Sequence, residues 1–311
     1  MTDRTAAAPR LVVVTLNWNG ADDTIACLDS IESSRPEDVE VIVVDNGSND
    51  EDVLRVVQAT FSRKWVTLVR NPENLGFTGG SNIGITIALE RGASAVMLLN
   101  NDARVERGAF ATLLDYLAAS PEAGLVSPLI LDESGDRIWA AGGVRARREV
   151  VCRLGLARRP VAEAPTSPFS SYALIGCAIV VRAEVIERVG QLDNDYFAYL
   201  EDIDYSVRVR EAGWRLDVVP AARVRHRVSG ASGGGYTPLR SYLLGRGTAL
   251  FVRKRGALDQ RLGFAIAAPL GLLAALVREV PRGNGAAVVA KLRGYIDGLL
   301  ARRVDARYLR R

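Results

Sequence analysis

Residues Ala95-Val-Met-Leu-Leu-Asn-Asn-Asp-Ala-Arg-Val105 join an unbroken apolar run to an abrupt polar stop at Asn100, Asn101 and Asp102. An apolar run of that length, bounded by polar residues, predicts a buried strand. In open α/β sheets, ligands bind outside the carboxyl ends of the strands. Three oxygen-bearing side chains at that point suit a hard divalent cation held against a diphosphate, because such cations prefer oxygen ligands. Further along, Tyr199-Leu-Glu-Asp-Ile-Asp-Tyr205 sets a second carboxylate group at the start of a helix. The two clusters together point to an enzyme that handles a nucleotide-diphosphate substrate.

Outward from this stretch, strand-like segments at 11–16, 39–44 and 65–69 precede the run at 95–99. Apolar residues at helical spacing fall between them. Ile25, Leu28 and Ile31 mark one helix; Val53, Leu54 and Val57 mark another, with Asp50 as its expected cap; 81–91 is a third. Phe110, Leu113, Leu114 and Leu117 give a helix at 108–119. Strand–helix alternation of this kind predicts an α/β fold, Rossmann-like, with a mostly parallel sheet flanked by helices on both faces. Regularity lapses from 124 to 172, where 145–159 is charged and 160–170 reads as a surface loop. It resumes with a strand at 173–181, helices at 183–189 and 201–212, and a short strand at 215–219. After a flexible segment at 229–235 the character turns helical, amphipathic and basic. The expected division is therefore an α/β domain over 1–235 and a helical appendage over 236–311.

The formal net charge of +4 hides an asymmetry. From Arg240 onward there are 15 basic and 4 acidic residues, a balance of +11, against 25 basic and 32 acidic before it, a balance of −7. Such a tail either packs on the domain or meets an anionic membrane surface as an interfacial helix pair. A nucleic-acid partner is not expected, since no recognisable binding module accompanies the charge. Cys27, Cys152 and Cys177 show no paired spacing, which fits reduced thiols in the cytoplasm. The polar first ten residues carry no secretory signal pattern. No apolar run reaches 18 residues, the closest being 262–277 with Pro269 inside it, so no spanning helix is expected.

Individual motifs have ordinary readings beside the functional ones. Asp45-Asn-Gly-Ser-Asn-Asp50 is a good turn, yet it also puts Asp45 at a strand end where a nucleobase could donate a hydrogen bond. Asn71 to Asn82 is polar and Gly-rich; Gly76, Gly79 and Gly80 permit close backbone approach, and a following helix N-terminus favours phosphate. It matches neither a Walker loop nor GxGxxG, which speaks against a nicotinamide-dependent oxidoreductase. His226 is the sole histidine and a candidate metal ligand. Glu201, Asp202 and Asp204 in a first helical turn are commonplace dipole compensation, and Asp204 with Arg208 can form an i,i+4 pair.

Taken in order, Thr15-Leu-Asn-Trp-Asn-Gly20, Val44-Asp-Asn-Gly-Ser48, Asn71 to Asn82, Leu98-Leu-Asn-Asn-Asp102, Gly176-Cys-Ala, and Glu201-Asp-Ile-Asp204 with Gly213-Trp214 resemble family 2 glycosyltransferases. The resemblance covers residues 11–255 and is strongest to the bacterial branch of rhamnosyl- and galactofuranosyltransferases. It implies a GT-A fold, inversion at the anomeric carbon, a dTDP- or UDP-sugar donor, a saccharide or lipid-linked acceptor, and Mg2+ or Mn2+. By position it implies metal ligation by Asp102 and His226 and general-base catalysis by Asp202. Donor-nucleotide contacts fall to Asn17, Asn19, Asp45, Asn74, Gly76, Asn82, Asn100 and Asn101. Gly176, Glu201 and Asp204 fall on the acceptor side. Asn100 and Asn101 replace acidic residues of the strict metal motif, which also leaves room for a non-catalytic sugar-nucleotide binding protein. A helix N-terminus lowers a carboxyl's pKa, so Asp202 is expected to be a weakened base unless burial counters this. The implied role is cell-surface polysaccharide synthesis, in the cytoplasm or peripherally on the inner face of its membrane.

Overall fold

The computed structural model describes residues 11–145, 151–227 and 235–309; the polar first ten residues and nearly all of the segment at 229–235 lie outside these. The first half alternates β1 (Leu11–Asn17), α1 (Ala21–Glu32), β2 (Glu40–Asn46), α2 (Asp50–Phe61), β3 (Val66–Asn71), α3 (Gly76–Glu90) and β4 (Ala95–Leu99). Then come β5 (Ala103–Val105), α4 (Ala109–Ala119), β6 (Ala123–Asp132), β7 (Ile138–Ala140), β8 (Gly143–Val144), β9 (Arg153–Leu154) and β10 (Phe169–Ser170). The domain closes with β11 (Ala178–Arg182), α5 (Ala183–Val189), α6 (Glu201–Glu211) and β12 (Arg215–His226). Three helices follow: α7 (Pro238–Arg255), α8 (Leu258–Glu279) and α9 (Gly285–Leu299).

The sheet runs β10-β12-β6-β11-β4-β1-β2-β3. Strands β3, β2, β1 and β4 are parallel, as the alternation predicts, while β11 reverses between β4 and β6. Alternate residues of the Val/Ile/Leu-rich strands feed two cores. Leu11 and Val13 of β1 meet α1 and α4 on one face; Val12 and Val14 meet Ile85 and Ala88 of α3 and Tyr205 and Val209 of α6 on the other. Because β1 and β4 are neighbours in mid-sheet while α1 and α3 lie on opposite faces, the β1, β2 and β4 carboxyl ends open on one crevice.

The structure corrects four local expectations. Asn49, not Asp50, caps α2, its side chain accepting from the Asp52 N–H. α3 begins at Gly76 rather than 81, taking in the Gly-rich loop. β6 is a ten-residue buried central strand where no regularity was expected. Pro128 masks it in the sequence, since Pro is normally excluded from central strands; here it sits where the pairing with β12 shifts register. The same irregularity carries β12 past Pro220 to His226, seven residues beyond the expected end. The 160–170 stretch is exposed as expected but pinned by Val161 and Phe169 against a small cluster with Leu129 and Leu131.

The tail is not uniform. Leu250 and Phe251 of α7 belong to the main core. Arg246 is 3% exposed and donates to the carbonyls of Tyr196 and Arg302, while Arg255 bonds Asp204 at 2.9 Å. α7 and α9 touch backbone to backbone at glycines: a Cβ on Gly294 would stand 2.2 Å from the Tyr242 carbonyl and one on Gly298 2.3 Å from that of Arg246. α8 differs. It is long and apolar enough to cross a membrane by length and composition, with 17% of its apolar window buried. The uninterrupted apolar run is still the 16 residues at 262–277, and α8 reaches 18 only by taking in a flanking arginine.

Candidate active site

A cleft of about 540 Å³ opens at the carboxyl ends of β1, β2 and β4. Ten residues singled out in the sequence line it: Asn19, Asn74, Gly76, Asn100, Asn101, Asp102, Gly176, Glu201, Asp202 and His226. Its carboxylates are Asp23, Asp102, Glu201 and Asp202, and Arg240 is its one lining Arg or Lys among the described residues. A diphosphate entering this cleft therefore needs cationic help.

Asp102 and His226 are brought together by topology. β5 leaves the end of β4 and pairs antiparallel with the end of β12, setting Ala103 opposite His226. The Arg227 N–H bonds the Asp102 carbonyl at 3.0 Å, and His226 Nε2 stands 3.0 Å from Asp102 Oδ1. Both side chains are nearly buried. The Trp139 ring packs edge-on against the imidazole with centroids 4.4 Å apart. Adjacent ligands of an octahedral ion at about 2.0–2.1 Å also lie about 3 Å apart, so one oxygen and one nitrogen here suit neighbouring positions of a divalent cation. Among the described residues no group of three or more His, Cys, Asp or Glu side chains could hold a metal ion. A cation would take its remaining ligands from water and the diphosphate, the usual mode for Mg2+.

Asp202 lines the same cleft. Its Oδ2 accepts from the Gly176 N–H and its Oδ1 from the Ile203 N–H, each at 2.8 Å. Gly176 leaves room for this: a Cβ there would come within 3.3 Å of the Asp202 Cβ. Burial pushes the Asp202 carboxyl above its ordinary range and outweighs the backbone N–H groups of Gly176, Ile203 and Asp202 itself that pull it down. The helix-terminus expectation is thus reversed, because the loss of water costs the carboxylate more than the helix returns. Glu201 beside it is raised well above the usual carboxylate range, first by burial and then by the Asp202 charge. Its buried Oε2 has no hydrogen-bond partner. Phe197, Tyr199 and Leu200, just before α6, all have positive φ, between 67° and 72°. Such strain in non-glycine residues persists only where surrounding structure imposes it. Gly76, at φ +76°, makes room for it: a Cβ there would meet the Phe197 carbonyl at 2.5 Å.

Four expected site residues do not line the cleft. Asn17 is fully buried, donating to Asp45 Oδ1 at 2.9 Å and to Ser48, and accepting from Thr24. Asp45 is 1% exposed and committed to Asn17 and the Ser48 N–H. Asn82 clasps Leu192 and Asn194 through its amide. Asp204 is buried between Tyr196, Arg208 and Arg255. These four position loops rather than meet the cleft. Asn101 donates to Thr24 at 3.0 Å, joining the end of β4 to the Asn17–Asp45 pair. Sequence reasoning missed Trp139, Phe197 and Tyr199 as lining residues, together with Leu239 and Leu243 of the tail. Trp139 lies in the irregular region and carries no pattern; Phe197 and Tyr199 directly precede the acidic motif.

The comparisons agree with this geometry. The family model described as "Glycosyltransferase like family 2" matches residues 9–233. An N-acetylglucosaminyl-diphospho-decaprenol L-rhamnosyltransferase of Mycobacterium tuberculosis is 30% identical over 227 residues, covering 66% of this chain and 71% of that protein. A dTDP-rhamnosyl transferase of Shigella flexneri is 25% identical, covering 69% and 71%. Among solved structures, GalNAc-T7 with UDP, GalNAc and Mn2+ superposes with a TM-score of 0.66 at 17% identity, over 85% of this chain and 51% of that one. A mannosyltransferase of Pyrobaculum calidifontis in complex with GDP-Man and Mn2+ gives 0.57 at 18% identity, over 94% and 88%. A carboxylate–histidine pair and a carboxylate dyad facing one cleft, on a sheet of this order, are housed in a GT-A fold, and the chain belongs to the glycosyltransferase-like family 2.

Proposed function

We propose that the protein moves a sugar, rhamnose foremost, from a dTDP- or UDP-linked donor to a lipid-linked saccharide during cell-surface polysaccharide synthesis. It works in the cytoplasm, at the inner face of the membrane. The observation that carries this reading is the placement of the Asp102–His226 pair and the Asp202–Glu201 pair in one cleft. By their names both relatives transfer rhamnose, the Shigella flexneri one with dTDP and the Mycobacterium tuberculosis one with a diphospho-decaprenol, which supports this substrate class.

Asp102 and His226 would hold a divalent cation, Mg2+ or Mn2+, that neutralises the charge developing on the departing nucleoside diphosphate. Asn19, Asn74, Gly76, Asn100 and Asn101 would border the donor nucleotide, with Asn17, Asp45 and Asn82 holding those loops in place. Asp202 would take the proton of the acceptor hydroxyl as it attacks the anomeric carbon from the face opposite the diphosphate, which inverts the configuration. Its raised pKa brings it nearer the operating pH and makes it a better base than an exposed Asp. Gly176 would hold the base through its N–H, and Glu201 would remain protonated beside it, so that the dyad carries one negative charge.

The test is thermal stabilisation of the full chain by UDP, dTDP, GDP and NAD, each with and without Mg2+ or Mn2+, followed by transfer from the nucleotide sugar that binds. Stabilisation by a nucleoside diphosphate only with metal is expected. Metal-independent stabilisation by NAD alone would overturn the reading.

A further inference from the structure

α8 is the least covered helix of the fold. Residues 262–277 contain only apolar side chains and glycine, and at 1.5 Å per residue they extend about 24 Å. One narrow stripe, Gln260, Phe264, Ala275 and Glu279, faces inward. The remainder, including Ile266 at 66% and Leu270 at 61% exposure, faces out. α9 adds exposed Val289, Leu292, Ile296 and Leu299 at helical spacing. Monomeric soluble proteins rarely leave a continuous apolar face of this size open to water.

We propose that this face lies in the plane of a lipid bilayer, sunk among the acyl chains, and holds the mouth of the cleft at headgroup level. Three observations select lipid as the occupant. The apolar run ends in cations on both sides, Arg261 at one end and Arg278 and Arg282 at the other, within a tail of net charge +11. Arginines so placed reach anionic phosphates while the stem of the helix is buried. α8 cannot stand upright across the membrane, because it is seated on its neighbours: the Phe264 and Tyr295 rings meet at 5.3 Å, and Ala249 and Val252 of α7 complete that contact. α7 and α9 carry Arg246, Arg253, Lys291, Arg293 and Asp297, which hydrocarbon excludes. The helix is also continuous with the site. α7 joins the two: its Leu239, Arg240 and Leu243 line the cleft, and its Ala249 and Val252 pack against Phe264 of α8. An acceptor whose diphosphate sits at the membrane surface would therefore meet the cleft beside α7. For its purpose the inference rests on the lipid-linked acceptor of the preceding reading; its geometry stands apart from it.

The experiment is flotation of the full chain with vesicles of phosphatidylcholine alone or with phosphatidylglycerol, comparing wild type with the double variant Ile266→Asp, Leu270→Asp. Both positions are exposed, so the variant should fold, and metal–nucleotide thermal stabilisation checks that it has. Wild type should partition to the anionic vesicles roughly thirtyfold more tightly than to neutral ones, from the attraction of Arg261 and Arg282, since Arg278 is paired with Glu279. The double variant should stay in the soluble fraction with its nucleotide response intact. Equal flotation of the double variant would overturn the proposal. So would a wild-type chain that ignores vesicles and is instead a dimer by light scattering that the double variant converts to monomer. A wild type that floats yet shows no nucleotide response would leave this inference standing and remove the glycosyl-transfer reading.

Discussion

Asp202→Asn separates proton transfer from binding more cleanly than any other single change, and its cost can be worked from the structure. Both carboxylate oxygens of Asp202 accept a backbone N–H, from Gly176 and Ile203, at 2.8 Å each. An amide has one acceptor oxygen, so one bond is lost whichever way it turns, and an NH2 group then faces a donor. A hydrogen bond to a charged group contributes about 1.5–3 kcal/mol. The substitution also removes a carboxylate that burial already disfavours, which offsets part of that loss. A net destabilisation below about 2 kcal/mol is expected, or a fall in Tm of less than about 3 °C for a chain this size. Loss of a general base lowers transfer by about 10²–10⁴, equivalent to about 2.7–5.4 kcal/mol in the barrier. Single-turnover transfer and donor affinity, measured on the same samples, should show the first falling and the second unchanged. In wild type the acid limb of the rate profile should lie above the ordinary carboxylate range, because the Asp202 pKa is raised, and it should vanish in Asp202→Asn. Transfer within a few-fold of wild type would refute the assignment and pass the proton to another group.

Other substitutions test neighbouring parts of the design. Glu201 is raised above its ordinary 4.5 on folding, so its share of stability is full below about pH 4.5 and is lost as pH rises through the raised value. Glu201→Gln should accordingly melt higher than wild type at pH 8 and no higher at pH 4; a pH-independent difference would argue against a protonated Glu201. Gly76→Ala combines a left-handed φ with a Cβ 2.5 Å from the Phe197 carbonyl, so it should cost more than the roughly 1–2 kcal/mol of the backbone conformation alone and weaken nucleotide binding. A melting curve and nucleotide affinity matching wild type would show that the loop before α6 is not held against Gly76. Arg246→Ala removes the bonds that a nearly buried guanidinium makes to the carbonyls of Tyr196 and Arg302, at about 1.5–3 kcal/mol for a bond to a charged group. Urea unfolding that moves by less than about 1 kcal/mol would show that α7 is a separable attachment.

The parallel half of the sheet was legible because each strand is a compact apolar run and each helix repeats at 3.6 residues. The sequence hid β6 and the far end of β12 for one shared reason: Pro128 and Pro220 punctuate strands that survive through a register shift formed only in the pairing. The Asp102–His226 pair illustrates the same limit. Asp102 is visible at a strand end, and His226 is visible as the sole histidine, but only the antiparallel β5–β12 contact brings them together. Asn17, Asp45, Asn82 and Asp204 stand within motifs, where a sequence does not distinguish a residue that touches a ligand from one that holds a loop. In the structure all four are buried and bonded to neighbouring loops, and burial also reverses the direction of the Asp202 shift. The tail was legible as basic and amphipathic, yet its division into a core helix, α7, and an exposed one, α8, depends on glycine contacts that composition cannot show.

The central claim is that Asp102 anchors a cation that ties a nucleoside diphosphate into the cleft. The most direct measurement is the melting temperature of wild type and Asp102→Ala, with and without Mn2+, in the presence of UDP or dTDP at about a hundred times its dissociation constant. Wild type should gain about 2.7 kcal/mol of stability from nucleotide plus metal and little from either alone. Asp102→Ala should fold and lose that gain, with His226→Ala losing only part of it. A folded Asp102→Ala protein that keeps the full metal-dependent gain would contradict the claim.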